Sequence, residues 1–187
     1  MRCLLAFLVL SVASASAAPR PSVPAARAVV ADGAAVTSGH PEATAVGIAV
    51  LREGGNAVDA AVATAFALAA VLPDAGNLGG GGFLVLRRAD GTATSWDFRE
   101  TAPAAATRSL FLGPDGLPVP ERSTKGHLAA GVPGSVAGLI AAHTAGGRLP
   151  FARLVEPAIR LARGHTLTFR TANLLNRYRA DFESFDA

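Results

Sequence analysis

Between Ala57 and Leu72 the chain reads AVDAAVATAFALAAVL, and only Asp59 and Thr64 in that stretch are clearly polar. A helix that is apolar around nearly its whole circumference must be buried on nearly all sides. That demand excludes a lone surface helix and calls for a core larger than a small isolated domain could supply. The 187 residues suffice for one ordinary domain. The helix carries its own punctuation. Asn56 is a good N-cap, Asp59 three residues on resembles the second half of a capping box, and Pro73 stops the run. A first helix precedes it in SGHPEATAVGIAVLREGG. Pro41 takes a favoured first position, Glu42 lies in the first turn where the helix dipole favours negative charge, and Gly54-Gly55 end it.

After the buried helix come four glycines, Gly79 to Gly82, and then an apolar strand from Phe83 to Arg88. Ala89-Asp90-Gly91 reads as a hairpin turn, and Thr92 to Phe98 returns. On the returning strand Thr94, Trp96 and Phe98 share one face, and Ser95, Asp97 and Arg99 the other. GPDGLP at 113–118 is a second turn. GVPGSVAGLIAAHTAGG gives a third helix closed by Gly146-Gly147. LPFARLVEPAIRLARG gives a fourth, which Pro157 is expected to split into two short pieces. An amphipathic segment from Phe169 to about Tyr178 follows, and a short strand is expected around Ala28–Val30. There is no internal repeat and no long linker.

Glycine runs often cradle phosphates, so Gly79–Gly82 needs testing. A phosphate loop follows a strand, opens a helix and is followed by Lys-Ser/Thr. Here the order is helix, glycines, strand, and the only lysine of the chain is Lys125. The dinucleotide G-x-G-x-x-G motif fails on the same context. What remains is a close backbone approach at the start of a core strand, either to a neighbouring element or to a ligand.

Charge and termini narrow the class further. The formal charge is +3 and no Lys/Arg cluster carries interleaved aromatics, so no nucleic-acid partner is expected. Residues 1–18, MRCLLAFLVLSVASASAA, have Arg2, an apolar stretch and then small residues, with Ala15-Ser16-Ala17 fitting a cleavage site. They read as a secretory signal peptide, too short for a permanent span. Cys3 leaves with it, so residues 19–187 hold no cysteine. A bacterial periplasmic or secreted location is expected, without disulfides. His40, His127, His143 and His165 are widely spaced and make no metal-ligand pattern, and His40 reads as structural. No metal site and no cofactor requirement is read from the sequence. There is no G-x-S-x-G elbow.

Five blocks occur in order: SGHPEATAVGIAVLREGGNAVDAAVA, GNLGGGGFLVL, DFRETAP, GVPGSVAGL and RLPFARLVEPAIRLARGH. Together they resemble the N-terminal part of the large subunit of the gamma-glutamyltranspeptidase (glutathione hydrolase) family, over about residues 28–170. The resemblance implies an α+β fold, the N-terminal-nucleophile hydrolase αββα sandwich, of which 19–187 would be the front portion. It implies a precursor that cuts itself into a large and a small subunit. The threonine freed at the small subunit's N-terminus then attacks a gamma-glutamyl amide such as glutathione, with its own amine as base. Water or an amino acid or peptide takes the glutamyl group.

One position in the blocks carries a family role. Arg99 in DFRETAP matches the arginine that binds the alpha-carboxylate of the glutamyl donor. A guanidinium offers paired donors in a fixed fork, and the bond is charge-assisted. The bland alternative is a surface arginine paired with Asp97 or Glu100, and Glu100 could instead orient it. No Thr-Thr-His block occurs, and Thr144 and Thr166 sit beside histidines outside that motif. No catalytic residue is therefore expected in this chain. Its nucleophile would lie beyond Ala187, and the chain alone should be inactive, with exposed sheet edges and poor solubility. Two other functions stay open: a cephalosporin or glutaryl acylase of the same superfamily, and a non-catalytic remnant.

Overall fold

The computed structural model describes residues 30–184. The chain divides into two units at Asp32/Gly33. Of the first unit only residues 30–32 are described, so the signal-peptide segment 1–18 and all of the strand expected at 28–30 except Val30 lie outside the described residues; Val30 itself is irregular.

The second unit opens with α1 (Pro41–Arg52) and α2 (Ala57–Val71). His40 caps α1: it is buried, and its Nδ1 accepts from the Glu42 amide at 3.3 Å. Asn56 caps α2 in a complete capping box. Its Oδ1 accepts from the amides of Val58 and Asp59 at 2.9 and 3.0 Å, while Asp59 Oδ2 accepts from the Asn56 amide at 2.9 Å. α2 packs against α1, α4 and α5. Val58, Val62, Ala63, Phe66, Ala67 and Val71 are all buried, as the apolar circumference requires.

β1 (Phe83–Arg87) and β2 (Ala93–Asp97) form an antiparallel hairpin with Phe83 opposite Asp97 and Leu86 opposite Thr94. The loop is of the three-residue kind. The Arg88 amide donates to the Thr92 carbonyl at 2.9 Å, and Gly91 takes φ 86°, a conformation that costs glycine nothing. Asp90 Oδ1 accepts from both the hydroxyl and the amide of Thr92, at 2.7 and 2.8 Å. One hairpin face is half-buried through Leu84, Leu86, Thr94 and Trp96; the other leaves Phe83 and Val85 exposed at 67% and 75%.

Beyond the hairpin lie a short α3 (Pro120–Thr124) and a 3-10 turn (His127–Ala129), neither anticipated from the sequence. Then come α4 (Ser135–Gly146), α5 (Phe151–Arg163), α6 (Phe169–Arg177) and α7 (Arg179–Glu183). α5 corrects one expectation: Pro157 does not split it. The proline lacks the amide that would reach the Arg153 carbonyl, but Leu154 and Ala158 beside it are 0% and 7% exposed in the core formed with α2. Burial of that face holds the helix through the missing bond.

The helices are tied together by a buried carboxylate. Asp59, 0% exposed, also accepts from the Arg148 amide at 2.9 and 3.1 Å and from the Leu149 amide at 3.4 and 3.3 Å. Asn56 Nδ2 donates to the Gly146 carbonyl at 2.7 Å. The start of α2 is thereby fastened to the α4–α5 junction.

Candidate functional site

The glycine run settles its own question here. Its backbone approaches protein. Gly82 pairs with Phe98, the Phe98 amide donating to the Gly82 carbonyl at 3.0 Å and the Gly82 amide to the Phe98 carbonyl at 3.3 Å. The Gly80 carbonyl accepts from the amides of Gly134 and Ser135 at 2.8 and 2.9 Å, taking the place of a side-chain cap at the start of α4. A phosphate loop does the opposite and presents its amides to the ligand.

These contacts fix the chain on both sides of Arg99. Phe98 is held by Gly82, and Thr101 by Val132, whose amide donates to the Thr101 carbonyl at 2.9 Å. Between them the Arg99 amide donates to Asp97 Oδ1 at 3.0 Å. Arg99 therefore leaves the end of β2 on a backbone anchored at each flank.

The Arg99 side chain is 61% exposed, and its Nε lies 3.2 Å from Glu100 Oε2. Asp97 binds the backbone of Arg99, while Glu100 takes the guanidinium, so the two acids have different tasks. Nη1 and Nη2 have no partner among the described residues, and it is the Nη1/Nη2 edge, away from Glu100, that could grip a carboxylate in a fork. The side chain borders an open cavity of about 630 Å³ lined also by Glu100, Thr101, Leu110, Phe111 and Leu128. The isolated Arg99–Glu100 pair contributes little to stability in itself.

The other expected features fall elsewhere. Thr144 is exposed on α4 and Thr166 in the loop after α5. His143 Nε2 is 2.8 Å from the Leu149 carbonyl and 3.6 Å from Asp59, part of the fastening between helices. His165 Nδ1 meets the Leu161 carbonyl at 3.1 Å. No group of three His, Cys, Asp or Glu among the described residues could hold a metal ion. The part of Asp97 was missed in the sequence; an Asx residue at the end of the strand, two positions before Arg99, was the available signal.

Residues 43–187 match the family model for Gamma-glutamyltranspeptidase. The chain is 52% identical over 128 residues to the Glutathione hydrolase proenzyme of Escherichia coli, covering 68% of this chain and 22% of that protein. The crystal structure of Helicobacter pylori gamma-glutamyltranspeptidase superposes with a TM-score of 0.82 at 45% identity, over 86% of this chain and 46% of that one. A cephalosporin acylase from Bacillus halodurans is more distant, with a TM-score of 0.64 at 28% identity over 78% of this chain and 27% of that one. The chain thus spans about a fifth of the Escherichia coli protein's length. Its α+β fold is that of the front portion of an N-terminal-nucleophile hydrolase, and the chain belongs to the gamma-glutamyltranspeptidase family.

Proposed function

We propose that the full-length protein is a gamma-glutamyltransferase and glutathione hydrolase, in which Arg99 receives the alpha-carboxylate of the gamma-glutamyl donor. The observation that carries the reading is the anchored Arg99, with its Nη atoms unpartnered beside an open cavity. The name Glutathione hydrolase proenzyme on a 52% identical relative supports the substrate class and a processed precursor. Glu100, on Nε, would keep the guanidinium from rotating.

The nucleophilic threonine would come from the small subunit of the same precursor. Its Oγ bonds to the gamma-carbonyl carbon as its proton passes to the threonine amine. The carbon–nitrogen bond then breaks, and the leaving amine departs with a proton. Water, or an acceptor amine, attacks the resulting ester and frees the threonine. The 187-residue chain alone would lack turnover. Export through residues 1–18 to the periplasm or medium belongs to the same proposal and rests on the sequence alone.

The test is hydrolysis of gamma-glutamyl-p-nitroanilide by the full-length protein, with a glutaryl amide in parallel. Release of p-nitroaniline, with the glutaryl substrate inert, supports the reading; the reverse preference makes the protein an acylase, and no turnover of either makes it a remnant. Arg99→Lys keeps the charge and loses the fork, and should raise the donor KM by about 10- to 100-fold, as expected for a charge-assisted bidentate contact. Unchanged donor kinetics would remove Arg99 from the site.

A further inference from the structure

Arg99 is exposed, yet the residues around its backbone leave almost no space. A Cβ added to Gly81 would stand 2.5 Å from the Phe98 carbonyl oxygen and 2.7 Å from both Arg99 Cα and the Glu100 amide nitrogen. At Gly131 it would stand 2.9 Å from Glu100 Cβ. At Gly134 it would overlap the Phe98 carbonyl, and at Gly138 the Phe98 ring itself. At Gly82 it would press on the far edge of the same ring, 3.2 Å from Cε2. Gly134 and Gly138 are one turn apart, so they offer the same bare strip of α4 to Phe98.

We infer that Gly134 at the cap of α4 and Gly138 within it, with Gly81 from the glycine run, are positioning residues for the guanidinium of Arg99. They form a seat without side chains into which the Phe98 ring and the Phe98–Glu100 backbone settle, and so set the point from which Arg99 reaches the donor. The inference rests on the proposed role of Arg99. Three observations join in it. The ring of Phe98 lies on α4 where only glycine leaves room. The Gly80 carbonyl binds the first amides of α4 and fixes that helix relative to the glycine run. The two backbone pairs at Phe98 and Thr101 bracket Arg99 and Glu100, a span of only two residues, so both ends of that span are fixed. Moving the ring therefore moves the root of the arginine.

Such a displacement acts on binding. An error of about 1 Å in a positioned group can cost up to about a hundredfold in rate or binding. In the full-length protein, Gly138→Ala should raise the donor KM about tenfold or more and leave kcat nearly unchanged. Phe98→Leu in the same molecule vacates ring volume beside the new methyl, and should bring KM back toward its starting value. A seat that serves stability alone would lower the melting temperature without touching KM, and that result overturns the inference. If Gly138→Ala gives no soluble protein, Phe98→Leu by itself loosens the seat with every glycine intact; it should raise donor KM at constant kcat, and an unchanged KM overturns the inference. Arg99→Lys measured alongside separates the two claims. A rise with Arg99→Lys and none with Gly138→Ala overturns the seat only. No rise with either overturns the role of Arg99 and the seat with it.

Discussion

Replacing Asp59 by alanine removes one side chain and strands three backbone donors from two separate stretches. The carboxylate is 0% exposed and accepts from the amides of Asn56, Arg148 and Leu149. Water cannot replace it without opening the helix layer. A buried donor left unsatisfied costs about 1–3 kcal/mol. The Asn56 and Arg148 bonds, both as short as 2.9 Å, are good ones, while the Leu149 bonds at 3.3 and 3.4 Å are weak. Two full penalties give about 2–6 kcal/mol, with a central value of about 4. Asp59→Asn keeps one acceptor oxygen but turns an NH₂ toward donors, and should cost about half as much. The assay is native-state hydrogen exchange on the full-length protein, read at the amides of Arg148 and Leu149. A loss of about 4 kcal/mol is close to a thousandfold faster exchange where these amides exchange through the opening that Asp59 restrains. Wild-type protection at both amides in Asp59→Ala would refute the reasoning, because it would mean that the carboxylate does not hold the α4–α5 junction.

Other variants probe separate parts of the molecule. Leu154→Ala empties a fully buried position between α5 and α2 and should cost about 2–5 kcal/mol, seen as a lower melting temperature. Pro157→Ala restores the amide missing from the middle of α5 and should raise the melting temperature; a fall would show that the ring's packing outweighs the lost bond. Gly91→Ala places a Cβ at φ 86° and should destabilise the hairpin by about 1 kcal/mol, read from exchange of the Arg88 amide. The Thr92 hydroxyl, then its amide, hold the Asp90 carboxyl below its ordinary range. A carboxylate with a lowered folded-state pKa contributes stability that is complete above the ordinary value and is lost as pH falls through the folded one. The protection of the Thr92 amide, its exchange taken relative to the intrinsic rate at each pH, should therefore fall on acidification below the usual carboxylate range in the wild type, and lose that pH dependence in Asp90→Asn.

Local signals were legible and long-range seating was not. The cap at Asn56, the acid at Asp59 and the burial of α2 could be read because each depends on residues a few positions apart. The rejection of a phosphate loop at Gly79–Gly82 needed only the order of helix, glycines and strand. Pro157 misled, because a propensity rule sees the absent amide but not the burial of Leu154 and Ala158 that compensates for it. Arg99 was singled out through the block around it, but its surroundings were hidden. Glycines more than thirty residues further along the chain receive Phe98, and nothing in the spacing of GVPGSVAGL announces which side chain will lie on it. Asp97 and Glu100 looked interchangeable as partners of Arg99, and only the folded backbone gives one the amide and the other the guanidinium.

The oxygen of Gly80 sits where the leading end of α4 would otherwise display partial positive charge, an end ordinarily equivalent to roughly half a proton. A negatively charged visitor at this corner thus meets a dipole already quenched by the protein's own backbone. On the proposed reading of Arg99, attraction for an acid here comes from one exposed side chain and not from a ring of fixed amides. Selectivity at such a corner can drift through one codon, with no loop to rebuild.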